Sequence, residues 1–126
     1  MHNLSTLARI SAVVLLLCAV IPSVRAQNSV EYPKVLSSRS LHGRVVIENT
    51  KDALEGVLVE DCGSDWQSVN QTAHTDNTGH FVFPSAQKGV HFLRFSMIGM
   101  QTVKIAVRVS IVAPKSQIRV EMPVAN

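Results

Sequence analysis

The chain has 126 residues, 46% apolar and 17% charged, which leaves room for one domain. Its formal net charge of +3 comes from 12 basic and 9 acidic side chains, but Arg9 and Arg25 lie in an N-terminal apolar segment, and without them 10 basic residues face the same 9 acids. That near-neutral remainder has no basic run or face, which excludes a nucleic-acid binder as a reading of charge.

Residues 1–26 read as a secretory signal peptide. Arg9 supplies the basic start, and the apolar run from Ile10 to Ile21 is too short to span a bilayer. Val24-Arg25-Ala26 fits cleavage before Gln27, so the product is expected to be secreted or periplasmic, with no membrane attachment after cleavage. Leu15-Leu16-Leu17 before Cys18 does not fit an acylation signal, which wants a small residue there. With Cys18 removed, Cys62 has no internal partner. It is either an ordinary thiol or the site of an intermolecular disulfide with another exported chain. About 100 residues must then hold together by hydrophobic burial, which suffices for a domain of that size.

Residues 27–40, with Pro33 and Ser37-Ser38-Arg39-Ser40, show no period and read as a linker or loosely tethered N-terminal arm. From Leu41 the period is two. Leu41, Gly43, Val45 and Ile47 share one face of a first strand, and Lys51-Asp52 makes a turn. Val57 and Val59 oppose Leu58 and Glu60 in a second strand, and the acids Glu60, Asp61 and Asp65 read as solvated residues beside a turn. Asp76-Asn77-Thr78-Gly79 is a turn signal, with Asp at the first and Gly at the fourth position of a type I turn. Phe81 and Phe83 follow, then a loop from Pro84 to Gly89 and a strand with Leu93, Phe95 and Met97 in phase. Val103, Ile105, Val107, Val109 and Ile111 form the clearest alternation, and Ile118, Val120, Met122 and Val124 resume it after Pro114. Alternation of this kind belongs to half-buried antiparallel strands and not to helices. The expectation is an all-β, seven-stranded antiparallel sandwich over residues 41–126.

Leu41-His42-Gly43-Arg44-Val45, Ala53 to Val59, Thr75 to Phe83 and Gly89 to Gly99 occur in an order that resembles a carboxypeptidase regulatory-like domain. Ala53, His91 and Met100 depart from residues usual in that pattern. The resemblance implies an Ig-like or transthyretin-like β-sandwich, grouped with carbohydrate-binding-like folds. It also implies a structural, binding or spacer role in exported proteins. No peptidase domain accompanies it.

The residues themselves offer little catalysis. His42, His74, His80, His91 and Cys62 form no zinc-ligand spacing, although His74 and His80 could approach across a hairpin. No metal or cofactor is expected. His91, in phase with Leu93 and Phe95, reads as a hydrogen-bonded, half-buried histidine. There is no Gly-x-Ser-x-Gly, and Cys62 has no evident base. Transthyretin-like hydrolases end in tyrosine-arginine-glycine-serine, whereas this chain ends Pro123-Val124-Ala125-Asn126. Not an enzyme is therefore the expectation, with a small hydrolase requiring two convergent acids or an activated histidine in a pocket. For binding, Trp66 stands near Asp65, Gln67 and Asn70. An exposed indole there could stack on a sugar ring, or it folds back to cover the end of the sandwich. The leading expectation is a binding or structural accessory module whose partner is an exported protein or a glycan, engaged through loops or a sheet edge.

Overall fold

Alternating apolar side chains can be hidden only if each strand lies in a sheet with one face against another layer. The computed structural model, which describes residues 29–126, shows how the chain does this. The leader expected over residues 1–26 lies outside the described residues. Nine strands occur among the described residues: β1 (Ser29–Glu31), β2 (Leu36–Ser38), β3 (His42–Ile47), β4 (Leu58–Cys62), β5 (Val69–His74), β6 (His80–Val82), β7 (Gly89–Ser96), β8 (Thr102–Val109) and β9 (Ile118–Met122). They are arranged in two sheets. The larger has the order β1-β8-β7-β4-β5 with β2 also on β8, and the smaller has the order β6-β3-β9.

The sheets close on one apolar interior. Val59, Leu93, Phe95, Val103, Ile105 and Val107 from the larger sheet are fully buried with Val45, Phe81, Val120 and Met122 from the smaller one. Phe81 meets Phe95 across the layers edge to face, ring centroids 5.3 Å apart, and meets Phe83 at 6.4 Å. This two-layered, sandwich-like arrangement departs from a seven-stranded antiparallel one in two respects. First, β1 and β2, which carry almost no alternation of polarity, precede the seven strands β3 to β9 and bring the total to nine. Second, β1 and β2 pair with β8 in parallel, and β9 pairs with β3 in parallel, so both sheets are mixed. The stretch read as a linker or loose arm is thus an arm tied down along β8, where Ser38 is buried and Tyr32 accepts a hydrogen bond from the Glu121 amide at 3.3 Å. The inward phase also stops earlier than the sequence suggested. Ile111 is 68% exposed because β8 ends at Val109 and a turn follows, and Val124 lies beyond β9, half exposed.

Asp76 and Gly79 do form the expected turn, with the Gly79 amide donating to the Asp76 carbonyl at 2.9 Å. Asp76 Oδ1 accepts from the Thr78 amide and hydroxyl and from the His80 amide, and these bonds hold its carboxyl below the usual carboxylate range. Gly79 has φ of +78°, and a Cβ there would lie 2.5 Å from the Val45 carbonyl oxygen. The turn does not close a hairpin. It carries the chain from β5 in one sheet to β6 in the other, so His74 and His80 stand in different sheets, and His80 neighbours His42, ring centroids 6.0 Å apart.

Gly43 sits where β3 is squeezed between β6 and β9, opposite Phe81 and Ile118. A Cβ there would stand 2.1 Å from the Ile118 carbonyl oxygen, a backbone atom that cannot swing aside. Gly43→Ala is expected to destabilise the fold by about 1–3 kcal/mol in urea unfolding. An unchanged midpoint would show that β9 is not held this close.

Candidate functional site

In β4 the inward phase of Val57 and Val59 continues to Asp61, and in β7 the inward phase of Phe95 and Leu93 continues back to His91. Polar residues therefore take over the interior positions at one end of the sandwich, where the layers no longer cover each other. Asp61 is 3% exposed. Its Oδ2 lies 2.9 Å from His91 Nδ1 and accepts from Gln71 Nε2, also at 2.9 Å. The other ring nitrogen, His91 Nε2, donates to the Gln87 carbonyl at 2.6 Å, which ties the loop between β6 and β7 onto the cluster. Gln71 Nε2 also reaches the Ser85 carbonyl of that loop at 3.4 Å.

A carbonyl can only accept, so His91 Nε2 carries a proton. The remaining proton lies between Nδ1 and the Asp61 carboxyl, and the pair as bonded has no net charge whichever atom holds it. Asp61 Oδ1 is buried without a hydrogen-bond partner among the described residues. Over this cluster opens a cavity of about 530 Å³, lined by Asp61, Asn70, Gln71, Gln87, Lys88 and His91 among others. The sequence reading placed Asp61 with solvated turn residues, whereas β4 carries it inward and buries it. Its phase with Val57 and Val59 was the available signal. His91 is half-buried and hydrogen-bonded, as its phase suggested.

Of the residues grouped with Trp66 in the sequence, the structure keeps two nearby and moves one away. Asp65 Oδ1 accepts from the Gln67 amide at 3.0 Å within the Trp66 loop. Asn70 lines the cavity instead. Trp66 itself has a left-handed backbone, φ 64°, held by its amide donating to the Gly63 carbonyl and by Arg94 Nη1 donating to its own carbonyl. Its indole folds back onto the outer face of the larger sheet, edge-on to Phe92 at 5.7 Å, with the Lys104 ammonium 5.2 Å from the ring centroid. Arg94 Nε in turn pairs with Glu60 at 3.0 Å. A sugar stacking on the face that Lys104 covers would have to displace a cation–π contact.

Cys62 forms no disulfide among the described residues and is buried, its Sγ 3.8 Å from the Glu60 carbonyl. Burial pushes its thiol up from the ordinary value. Cys62, which the sequence offers as an ordinary thiol or as the site of an intermolecular disulfide, is buried at the end of β4. A thiol reagent at neutral pH is expected to modify Cys62 at least about tenfold more slowly in the folded chain than in urea. Equal rates would place the sulfur at the surface.

The cluster holds one acid and one histidine, and both histidine nitrogens are engaged. No ring nitrogen is left to take a proton from a water or a hydroxyl, so His91 does not serve as a general base as bonded here. Among the described residues there is no group of three or more histidine, cysteine or acidic residues placed to hold a metal ion, and no helix long and apolar enough to cross a membrane. What the arrangement offers is hydrogen bonding: an orphan carboxylate oxygen, amide side chains and a rim ammonium. Compared with known proteins, residues 41–125 match a family model described as CarboxypepD_reg-like domain. No curated protein matches the chain.

Proposed function

The chain belongs to the CarboxypepD_reg-like domain family, a family of non-catalytic β-sandwich domains, and from that premise we propose that it is an exported accessory module that binds a partner chain along the free edge of β5. The apolar leader and its small-residue cleavage pattern support export.

The observation that carries the binding surface is the contrast among sheet edges. At the far side of the larger sheet, β1 and β2 cover β8. In the smaller sheet, the Tyr32 hydroxyl caps β9 at Glu121, and β6 is only three residues long. By contrast β5 offers six residues, Val69-Asn70-Gln71-Thr72-Ala73-His74, with neither proline nor lysine to discourage pairing. The Thr75 amide donates inward to the Val57 carbonyl. Strand alternation then turns the backbone groups of His74 and Thr72 outward, where an extended segment can bond to them.

Thr72→Pro tests this surface. It removes an outward-facing amide while sparing the β4 ladder, a place where proline is tolerated. Partners recovered from the secreted or envelope fraction with the unmodified chain should be lost with Thr72→Pro, and the Thr72 and His74 amides should exchange more slowly in the complex. Undiminished recovery by the proline variant would remove β5 as the binding edge.

A further inference from the structure

The cavity at the end of the sandwich has a chemistry of its own, separate from the backbone edge of β5. We infer that it is a binding site for a neutral polyhydroxyl ligand of about one or two sugar rings. The inference begins with Asp61. Its Oδ2 is saturated by Gln71 and His91, while Oδ1 is buried and unpaired. An unpaired buried carboxylate oxygen is costly, and the cost disappears when a ligand presents an O–H or N–H donor. Asp61 borders the cavity, and a donor that reaches Oδ1 removes that cost.

The charges set the rest. As bonded, Asp61 and His91 cancel each other, and burial keeps the Cys62 thiol protonated. Lys88, exposed at the rim, is the one formal charge among the lining residues that remains. An ammonium ligand would meet that lysine at the mouth, and an anion would bring acceptor oxygens against the acceptor at the floor. A hydroxyl group suits both ends, because it donates to Asp61 Oδ1 and accepts from Lys88 or Asn70. Neutral amides and hydroxyls from Asn70, Gln71, Ser85 and Gln87 make up most of the remaining wall. No phenylalanine, tyrosine or tryptophan lines the cavity, so a ligand has little apolar area to cover. A volume of about 530 Å³ fits a small polar molecule.

The test is a titration of the isotopically labelled chain, followed by amide and side-chain NMR, with neutral mono- and disaccharides, inorganic phosphate and a primary alkylamine as separate probes. At least one sugar should give saturable shifts confined to Asp61, Asn70, Gln71, His91 and the loop from Ser85 to Lys88. Asp61→Asn, which preserves shape but replaces one acceptor with a donor, should weaken that sugar at least about tenfold. Asn70→Ala, at the exposed rim and without structural load, should weaken it about fivefold. Tighter binding of phosphate or the amine, no response to any sugar, or sugar shifts centred on Trp66 and indifferent to both variants would each overturn the assignment. Thr72→Pro should leave the sugar response in place, which separates this site from the partner-binding edge.

Discussion

Replacing Phe81 with alanine is expected to cost about 3–5 kcal/mol and to bring the domain close to unfolding at room temperature. Phe81 lies in β6, a strand of only three residues, yet its ring is 1% exposed and stands between Phe83 and Phe95. It is the point at which the smaller sheet keys into the larger one. Truncation removes the buried area and the edge-to-face contacts, and it leaves a cavity between two sheets that cannot collapse freely, because β6 is anchored to β3 through Gly43. Phe81→Leu should retain more than half of the lost stability. The measurement is the urea midpoint with its slope. A cost below about 1 kcal/mol for the alanine variant would show that the layers are not packed through this ring.

The second large effect is expected at Asp61. Asp61→Ala should cost about 3 kcal/mol, most of it the cost of leaving His91 and the Gln71 amide without their acceptor in a site where His91 is largely covered. His91→Ala should cost less, since Asp61 would keep Gln71 and gain access to water through the opened cavity. The double variant should cost clearly less than the sum of the two, with a coupling of about 1–3 kcal/mol, because neither the carboxylate nor the imidazole is then left buried without the other. Strict additivity would mean that the two side chains do not interact. A loosened loop between β6 and β7 should accompany both single variants, visible as faster exchange of amides from Ser85 to Gly89, since His91 Nε2 holds that loop through the Gln87 carbonyl.

Much of the layer structure was legible in the sequence because burial and alternation are two views of one fact. Val103, Ile105, Val107 and Val109 read as one face and are one buried face. Asp76 and Gly79 could be read for a different reason, since a side-chain acceptor and a left-handed glycine are local requirements that need no distant partner. Where local chemistry was weak, the reading failed. In β5, Val69-Asn70-Gln71-Thr72-Ala73-His74 has little contrast between its faces, because an edge strand at the rim is wet on most sides. The candidate site was legible only in part. His91 could be placed inward by phase. Asp61 could have been placed by the same argument, but its position beside Glu60 and Asp65 made it resemble a solvated cluster, and nothing local announces that Gln71 and His91 will converge on it.

By itself, the sequence determined which apolar side chains of the central strands point inward, where the Asp76–Gly79 turn falls, and that the described fold is built of strands. Only the tertiary structure decided which strand lies beside which and in which direction: that β9 runs parallel to β3, that an arm without any period docks on β8, and that a carboxylate, a histidine and two loop carbonyls meet at one end. The reason lies in the backbone. Its hydrogen-bond ladder is the same for every residue and accepts a neighbour of either direction, so side-chain alternation reports a face, while the partner is chosen by how whole layers close around their common interior.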